Sequence, residues 1–416
     1  MTSRDGEREW PRSIRDPSRT VVIGPLAPFT DGFVVELSDL GYTAGSAVQQ
    51  MCLMAHLSRW LEAEGLGPAA LSPVVVERFF SARRAAGYKS LLSFRALDSL
   101  LAYLRRLGVV PAAEMLVPRG AVEELLSRYR RYLEVERGLV AGSSRVYVHW
   151  VRPFVEGLAG EDAVDLSGLD ATGVRRFVVE FCSGRSRRTT QVMIAALRAL
   201  LRFLYFEGEL ERSLADAVPS VAVWRLSELP RRLEDEQVQM LLGACDRQTV
   251  QGRRDFAIVT VLVRLGLRAG AVAALSMDDI DWRAGEITAV GKGGRSERLP
   301  LPVDVGEAIV AYLRDGRPHR TLGGALFVRM LAPYCALSSS GISMVVISAA
   351  RRAGLGQVAA HRLRHTAASQ MLRAGSGLPE IGQVLGHRAA ATTMVYAKVD
   401  RDGLRQIARP WPGTPA

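Results

Sequence analysis

Between residues 29 and 110, apolar side chains recur at three- and four-residue intervals, as in Met51, Met54, Leu57 and Leu61 and again in Leu97, Leu100, Leu101 and Leu104. That spacing lines one face of a 3.6-residue helix, and the alternation of a half-buried strand is missing. The stretch 122–218 repeats the layout. Gly41, Ala44, Gly45 and Ser46 precede Gly138, Ala141, Gly142 and Ser143 by 97 positions, and Leu71 and Phe79 precede Leu169 and Phe177 by 98. Leu97, Leu100, Leu101, Leu104 and Gly108 precede Leu197, Leu200, Leu201, Leu204 and Gly208 by 100. Two similar modules of four to five helices are the simplest reading, against a chance alignment of two amphipathic stretches.

After the second module the pattern changes. Residues 234–244 read as a short helix, 254–265 as a buried one, and 286–290 and 297–301 as strands. The strands flank Gly291-Lys292-Gly293-Gly294-Arg295-Ser296, a glycine-rich turn that predicts a hairpin. Mostly helical sequence follows to about residue 404. Polar, proline-containing stretches at 111–120 and 216–230 separate these parts. The chain therefore divides into a flexible tail (1–25), a helical module (26–112), a second helical module (120–218), a linker (219–232), a mixed domain (233–405) and a tail (406–416). The expected fold class is mainly α with a small β-sheet: tandem all-helical modules followed by an α+β domain.

At 416 residues the chain has room for two or three domains of roughly 100–200 residues each. Lys and Arg outnumber Asp and Glu by 54 to 43, a net charge of +11 that attracts polyanions such as nucleic acid or acidic lipid headgroups. A merely basic soluble protein is the competing reading. Cys52, Cys182, Cys245 and Cys335 lie far apart with no CxxC pair, which argues against a disulfide framework and a structural zinc site and suits a reducing cytoplasm. The N-terminus is charged where a secretory signal is apolar, and the longest clean apolar run is 257–263, so neither export nor a membrane span is expected.

His361, His365 and His387 fall in one window of the chain. His361 and His365, at i and i+4, could share a helix face and bind zinc. No Glu follows the first of them as in a zinc protease helix, and no Cys or carboxylate lies close in sequence, so a metal is not expected. The anionic reading is stronger. His361 and Arg364, at i and i+3, present an imidazole and a planar guanidinium on one face, a pairing suited to phosphate. Leu265-Gly266-Leu267-Arg268 delivers a second Arg at the end of an apolar helix, and Lys292 sits on the hairpin tip.

In this order the segments resemble the tyrosine recombinase, or phage integrase, family over roughly residues 233–404. The resemblance rests on Arg268 after Gly266-Leu267, on Asp279-Ile280-Asp281, on the turn carrying Lys292, on His361-Arg362-Leu363-Arg364-His365, and on Leu385-Gly386-His387 with Tyr396 nine residues later. It implies a site-specific DNA recombinase that cuts and rejoins strands through a 3′-phosphotyrosine intermediate, for integration, excision or transposition of a mobile element. Tyr396 would be the nucleophile, Arg268 and Arg364 would stabilise charge on the phosphate, Lys292 would protonate the leaving 5′-oxygen, and His361 and His387 would hydrogen-bond or shuttle protons there. Nearby cations would favour the phenolate. The bond energy is kept in the covalent link, so the resemblance implies no ATP, metal or other cofactor.

The family pattern places an acidic residue three positions after the first Arg, where this chain has Ala271. Asp278 or Asp279 is expected to substitute, or Arg268 is held otherwise. His365 reads as a residue that packs in the core and holds Arg364. A catalytically impaired accessory relative working with an active partner is the alternative, and a type IB-like topoisomerase a weaker one. The resemblance gives 122–218 the slot of a core-binding domain that closes on double-stranded DNA. There Arg185, Arg187 and Arg188, followed by Thr189, Thr190 and Gln191, would contact phosphates. It also implies a homotetramer on paired sites, or assembly with other recombinase subunits. The first module could contact DNA or another protomer, or act as a spacer, and Arg83, Arg84 and Lys89 lean toward DNA.

Overall fold

A computed structural model of the chain describes residues 16–111, 120–160, 163–221, 232–291, 294–319, 321, 323–387 and 390–397. The described part is mostly helical, with one small sheet. The first module holds α1 (Thr30–Asp39), α2 (Ala44–Ala63), α3 (Pro73–Ala85) and α4 (Phe94–Arg106). The second holds α5 (Ala121–Val135), α6 (Ala141–Glu156), α7 (Ala171–Cys182) and α8 (Arg187–Phe206). The mixed domain runs α9 (Asp235–Gly243), α10 (Val250–Leu265), α11 (Ala269–Ala274), β1 (Ile280–Asp281), β2 (Glu286–Val290), β3 (Ser296–Pro300), α12 (Val303–Asp315), α13 (Ser339–Arg352), α14 (Ala360–Arg373), α15 (Leu378–Val384) and α16 (Ala390–Ala397).

Capping explains where the module helices begin. Thr43 accepts from the Ser46 N–H ahead of α2, Ser72 from Val75 ahead of α3, Asp170 from Gly173 ahead of α7, and Ser186 from Thr189 ahead of α8. The repeat seen in the sequence is matched by the backbone. Gly41 and Gly138, Gly87 and Gly184, and Gly108 and Gly208 follow the first, third and fourth helices of their modules, all with φ between +60° and +83°. Only glycine adopts that region without steric cost. Each module closes with the same bond, from Val109 N–H to the Leu104 carbonyl (3.0 Å) and from Glu209 N–H to the Leu204 carbonyl (2.9 Å).

Each module has its own apolar core, with Met51, Leu57, Phe79 and Leu104 fully buried in the first and Tyr129, Leu197, Leu200 and Leu204 in the second. By length and composition α8 could cross a membrane, but its apolar residues form the core of its own module. The second module is a compact unit by itself, whereas the first module and the mixed domain belong to one unit. Within that unit Gly41 leaves no room for a Cβ against the Tyr334 ring.

Residues 16–25 depart from the tail expected over 1–25. Asp16 caps a 3₁₀ turn at Pro17–Arg19, Val22 is buried in the first core, and the Leu26 N–H donates to Ser58 Oγ at 3.0 Å. Single anchors leave no periodicity, so the pattern hid them. In the linker region Arg198 donates to the Val218 carbonyl and to Ser220 Oγ, while 222–231 lie outside the described residues. The tail at 406–416 also lies outside them.

In the mixed domain α10 is buried nearly all round and packs against α12, α13 and α14, which makes it the axis of the core. The sheet is antiparallel in the order β1-β2-β3, with Ile287 opposite Leu299 on the buried face. β1 has two residues, too few to show alternation, and the sequence reading missed it. Arg254 and Asp255, 6% and 2% exposed, form an ion pair at 2.6 Å on α10, and Arg254 also donates to the Val328 carbonyl. Removing one partner of a buried pair leaves a charge without compensation. Asp255→Ala should lower stability by about 3–5 kcal/mol in urea unfolding.

Candidate active site

The site is built around Arg364, which α14 presents one turn after His361 and which is 3% exposed. Its Nη1 donates to the Gly266 carbonyl at 2.8 Å and its Nη2 to the Leu385 carbonyl. Gly266 caps the C-terminus of α10 and Leu385 that of α15. Carbonyls there have no helical partner and carry the negative end of the helix dipole, so two helix ends compensate one buried cation. The glycines of both sequence motifs make this possible. Gly266 has φ +62° and packs against Leu385 and Ala367, while Gly386 has φ +60° and leaves no room for a Cβ beside the Glu297 carboxylate. Burial, and secondarily Arg268, push Arg364 down to about 10, so it is charged at neutral pH.

Arg268 occupies the position just before α11 and is half-buried. Its charge reaches Arg364, His387 and Tyr396 and favours a lower pKa in each. Asp279 does not fill the role expected of an acidic partner, because its carboxylate accepts from the Ser276 N–H (2.7 Å) and Oγ (2.8 Å), and Asp278 is exposed. The carboxylate whose field reaches Arg364 is Glu297 on β3. The sequence reading missed it, although the signal was present. Glu297 shares the inward face of β3 with buried Leu299, an unusual place for a carboxylate without a charge to meet.

Tyr396 on α16 is 2% exposed. Its hydroxyl is hydrogen-bonded to His365 Nδ1 at 2.9 Å, and its ring lies parallel to His387, 6.3 Å between centroids. His387 is fixed in turn by Thr393 Oγ1 at 2.8 Å. His361 is exposed, with its ring edge against His365 at 4.6 Å. Among the described residues, no group of three His, Cys, Asp or Glu side chains could hold a metal ion. Burial raises the Tyr396 pKa more than Arg364 and Arg268 lower it. The expected drift toward phenolate is therefore reversed in the free protein. Burial, with nearby cationic groups, holds His365 and His387 down to about 4, so both rings are neutral at pH 7.

The structure thus gathers Arg268, His361, Arg364, His387 and Tyr396, and it adds His365 and Glu297. Lys292 lies outside the described residues, between β2 and β3, where the Gly291 N–H donates to the Arg295 carbonyl at 2.7 Å. In the second module Arg187 and Arg188 are exposed in the first turn of α8, and Arg185 stacks on Phe181 at 4.2 Å. Cations at a helix N-terminus oppose the dipole, an arrangement that an arriving anion relieves. In the first module Arg83 is buried over Tyr88 (4.1 Å) and Arg84 pairs with Glu77, which leaves Lys89 exposed.

Residues 231–402 match the phage integrase family and residues 126–208 its N-terminal SAM-like domain. A putative integrase/recombinase of Sinorhizobium fredii, y4rA, is 39% identical over 395 residues, covering 94% of this chain and 95% of that one. The tyrosine recombinase XerD of Listeria monocytogenes is 28% identical over 296 residues, 69% of this chain and 97% of XerD. The solved XerH site-specific recombinase, bound to a palindromic difH substrate in a post-cleavage complex, shares the fold with a TM-score of 0.55 at 19% identity, over 68% of this chain and 83% of that one. The chain belongs to the phage integrase, or tyrosine recombinase, family, whose members are site-specific recombinases that break and rejoin DNA strands.

The depressed histidines predict an acid sensitivity. Below the ordinary histidine pKa of 6.5 the unfolded chain takes up protons that folded His365 and His387 refuse, so they cost stability as pH falls from 6.5 to about 4. In thermal melts across that window, His387→Asn should show a shallower loss of stability than the parent.

Proposed function

We propose that Tyr396 is the nucleophile and that the chain recombines DNA through a 3′-phosphotyrosine intermediate. The observation that supports this most is the Tyr396 phenol held within the field of Arg268 and Arg364, beside His387 and His365. The phenol oxygen attacks the scissile phosphorus, the bond to the 5′-oxygen breaks, and Lys292 supplies the proton that makes a 5′-hydroxyl. Negative charge grows on the non-bridging oxygens as the attack proceeds. Guanidinium groups already fixed in a water-poor setting stabilise it without reorganising, which is the role of Arg268 and Arg364. His361 and His387 hydrogen-bond the same phosphate. Attack by a 5′-hydroxyl from a second strand reverses the chemistry onto a new partner.

Because Tyr396 is buried, DNA binding has to open its surroundings before the phosphate can reach it. Arg185, Arg187 and Arg188 of the second module grip the backbone of double-stranded DNA. Four protomers act on paired sites, alone or with other recombinase subunits, in the cytoplasm. The biological outcome is integration, excision or transposition of a mobile element.

A nicked suicide substrate carrying the chain's own site tests the reading. Denaturing electrophoresis should reveal a covalent protein–DNA adduct that disappears in Tyr396→Phe. Specific binding without any adduct would overturn it in favour of a catalytically impaired accessory subunit. Arg187→Ala combined with Arg188→Ala should weaken DNA binding and reduce the slope of log K against log salt by about 1–2, as expected for two lost phosphate contacts. An unchanged slope would take these residues off the interface.

A further inference from the structure

We infer that His365 is a positioning residue for the nucleophile: its Nδ1 accepts the Tyr396 O–H and fixes where the phenol oxygen stands. The inference rests on the reading of Tyr396 as nucleophile and assigns a role to a side chain that does not itself meet the phosphate.

Arg364 and His365 are neighbours on α14, so they leave the helix about 100° apart, and each is tied to a different part of the site. The Arg364 guanidinium is anchored to the Gly266 and Leu385 carbonyls, which fixes the rotation of α14 and with it the direction of His365. At the other end of that direction lies the phenol, 2.9 Å from Nδ1, with the two rings tilted at 59°. Tyr396 therefore sits between His365 and His387, and His387 is pinned by Thr393 one turn earlier on α16.

A neutral imidazole has one acceptor nitrogen and one donor, and a phenol has one proton to give. If Nδ1 accepts, the proton of His365 is on Nε2, and the phenol's lone pairs stay clear of the imidazole. The surroundings that disfavour a charged ring, burial together with His361 and Arg364, make His365 a poor store for the proton. Its contribution is geometric: it removes a rotational freedom that the phenol would otherwise lose at the moment of attack.

Two measurements on the full-length chain test this. In single-turnover cleavage of a nicked suicide substrate at saturating DNA, His365→Ala should slow adduct formation by about ten-fold or more at an unchanged DNA Kd. His365→Asn, whose Oδ1 reaches the place of Nδ1, should recover to within about three-fold of the parent and keep its pH profile. Parent-like cleavage by His365→Ala would overturn the inference, and so would His365→Asn remaining as slow as the alanine variant, the pattern expected of a proton acceptor. The second measurement needs no activity. In the DNA-free protein with ¹⁵N-labelled histidine, Tyr396→Phe should shift the His365 Nδ1 resonance, and no shift would overturn the inference even if the parent forms no adduct. An absent adduct with a clear shift would instead count against the nucleophile reading and leave the contact standing.

Discussion

A positive charge in an apolar interior is tolerated only where the protein supplies fixed negative charge, and the arrangement around Arg364 follows from that constraint. Two helices, α10 and α15, end at the guanidinium, and their last carbonyls replace the water it has lost. Because both chain ends must turn away sharply after offering those carbonyls, glycine is needed at Gly266 and Gly386. The residues after each turn are Leu267-Arg268 and His387. One buried cation thus organises the segments that carry the second arginine and a histidine of the site.

Tyr396 is governed by the same economy. Its small apolar cluster with Ala368, Ile381 and Leu385 buries the ring, and burial outweighs the pull of two arginines on the phenolic proton. The free protein therefore holds its proposed nucleophile neutral and covered. Glu297 adds a carboxylate to a field otherwise dominated by cations, which eases the electrostatic strain of keeping Arg268 and Arg364 together. Ala271, where the family pattern has an acidic residue, is buried, and the carboxylate whose field reaches Arg364 is Glu297 on the hairpin.

Much of this was legible in the sequence, for identifiable reasons. The helical modules showed because Met51 to Leu61 and Leu197 to Leu204 carry a long, regular apolar period. Arg268, His361, Arg364, His387 and Tyr396 showed because the motifs that carry them follow one another in the order of the tyrosine recombinase family, and the structure brings them together. What escaped depends on contacts between distant segments. The His365 ring reads as core until a phenol thirty-one residues away is found against it. Glu297 reads as a strand carboxylate until Gly386 is seen beneath it. Asp16, Val22 and Leu26 anchor the first module singly, without a period to reveal them.

The central claim is that the phenol beside Arg364 becomes the covalent link to DNA. Mass spectrometry of peptides from a nuclease-trimmed, trapped protein–DNA complex reads that link directly. The account predicts a nucleotide attached through its 3′-phosphate to Tyr396, and attachment to any other residue would contradict it.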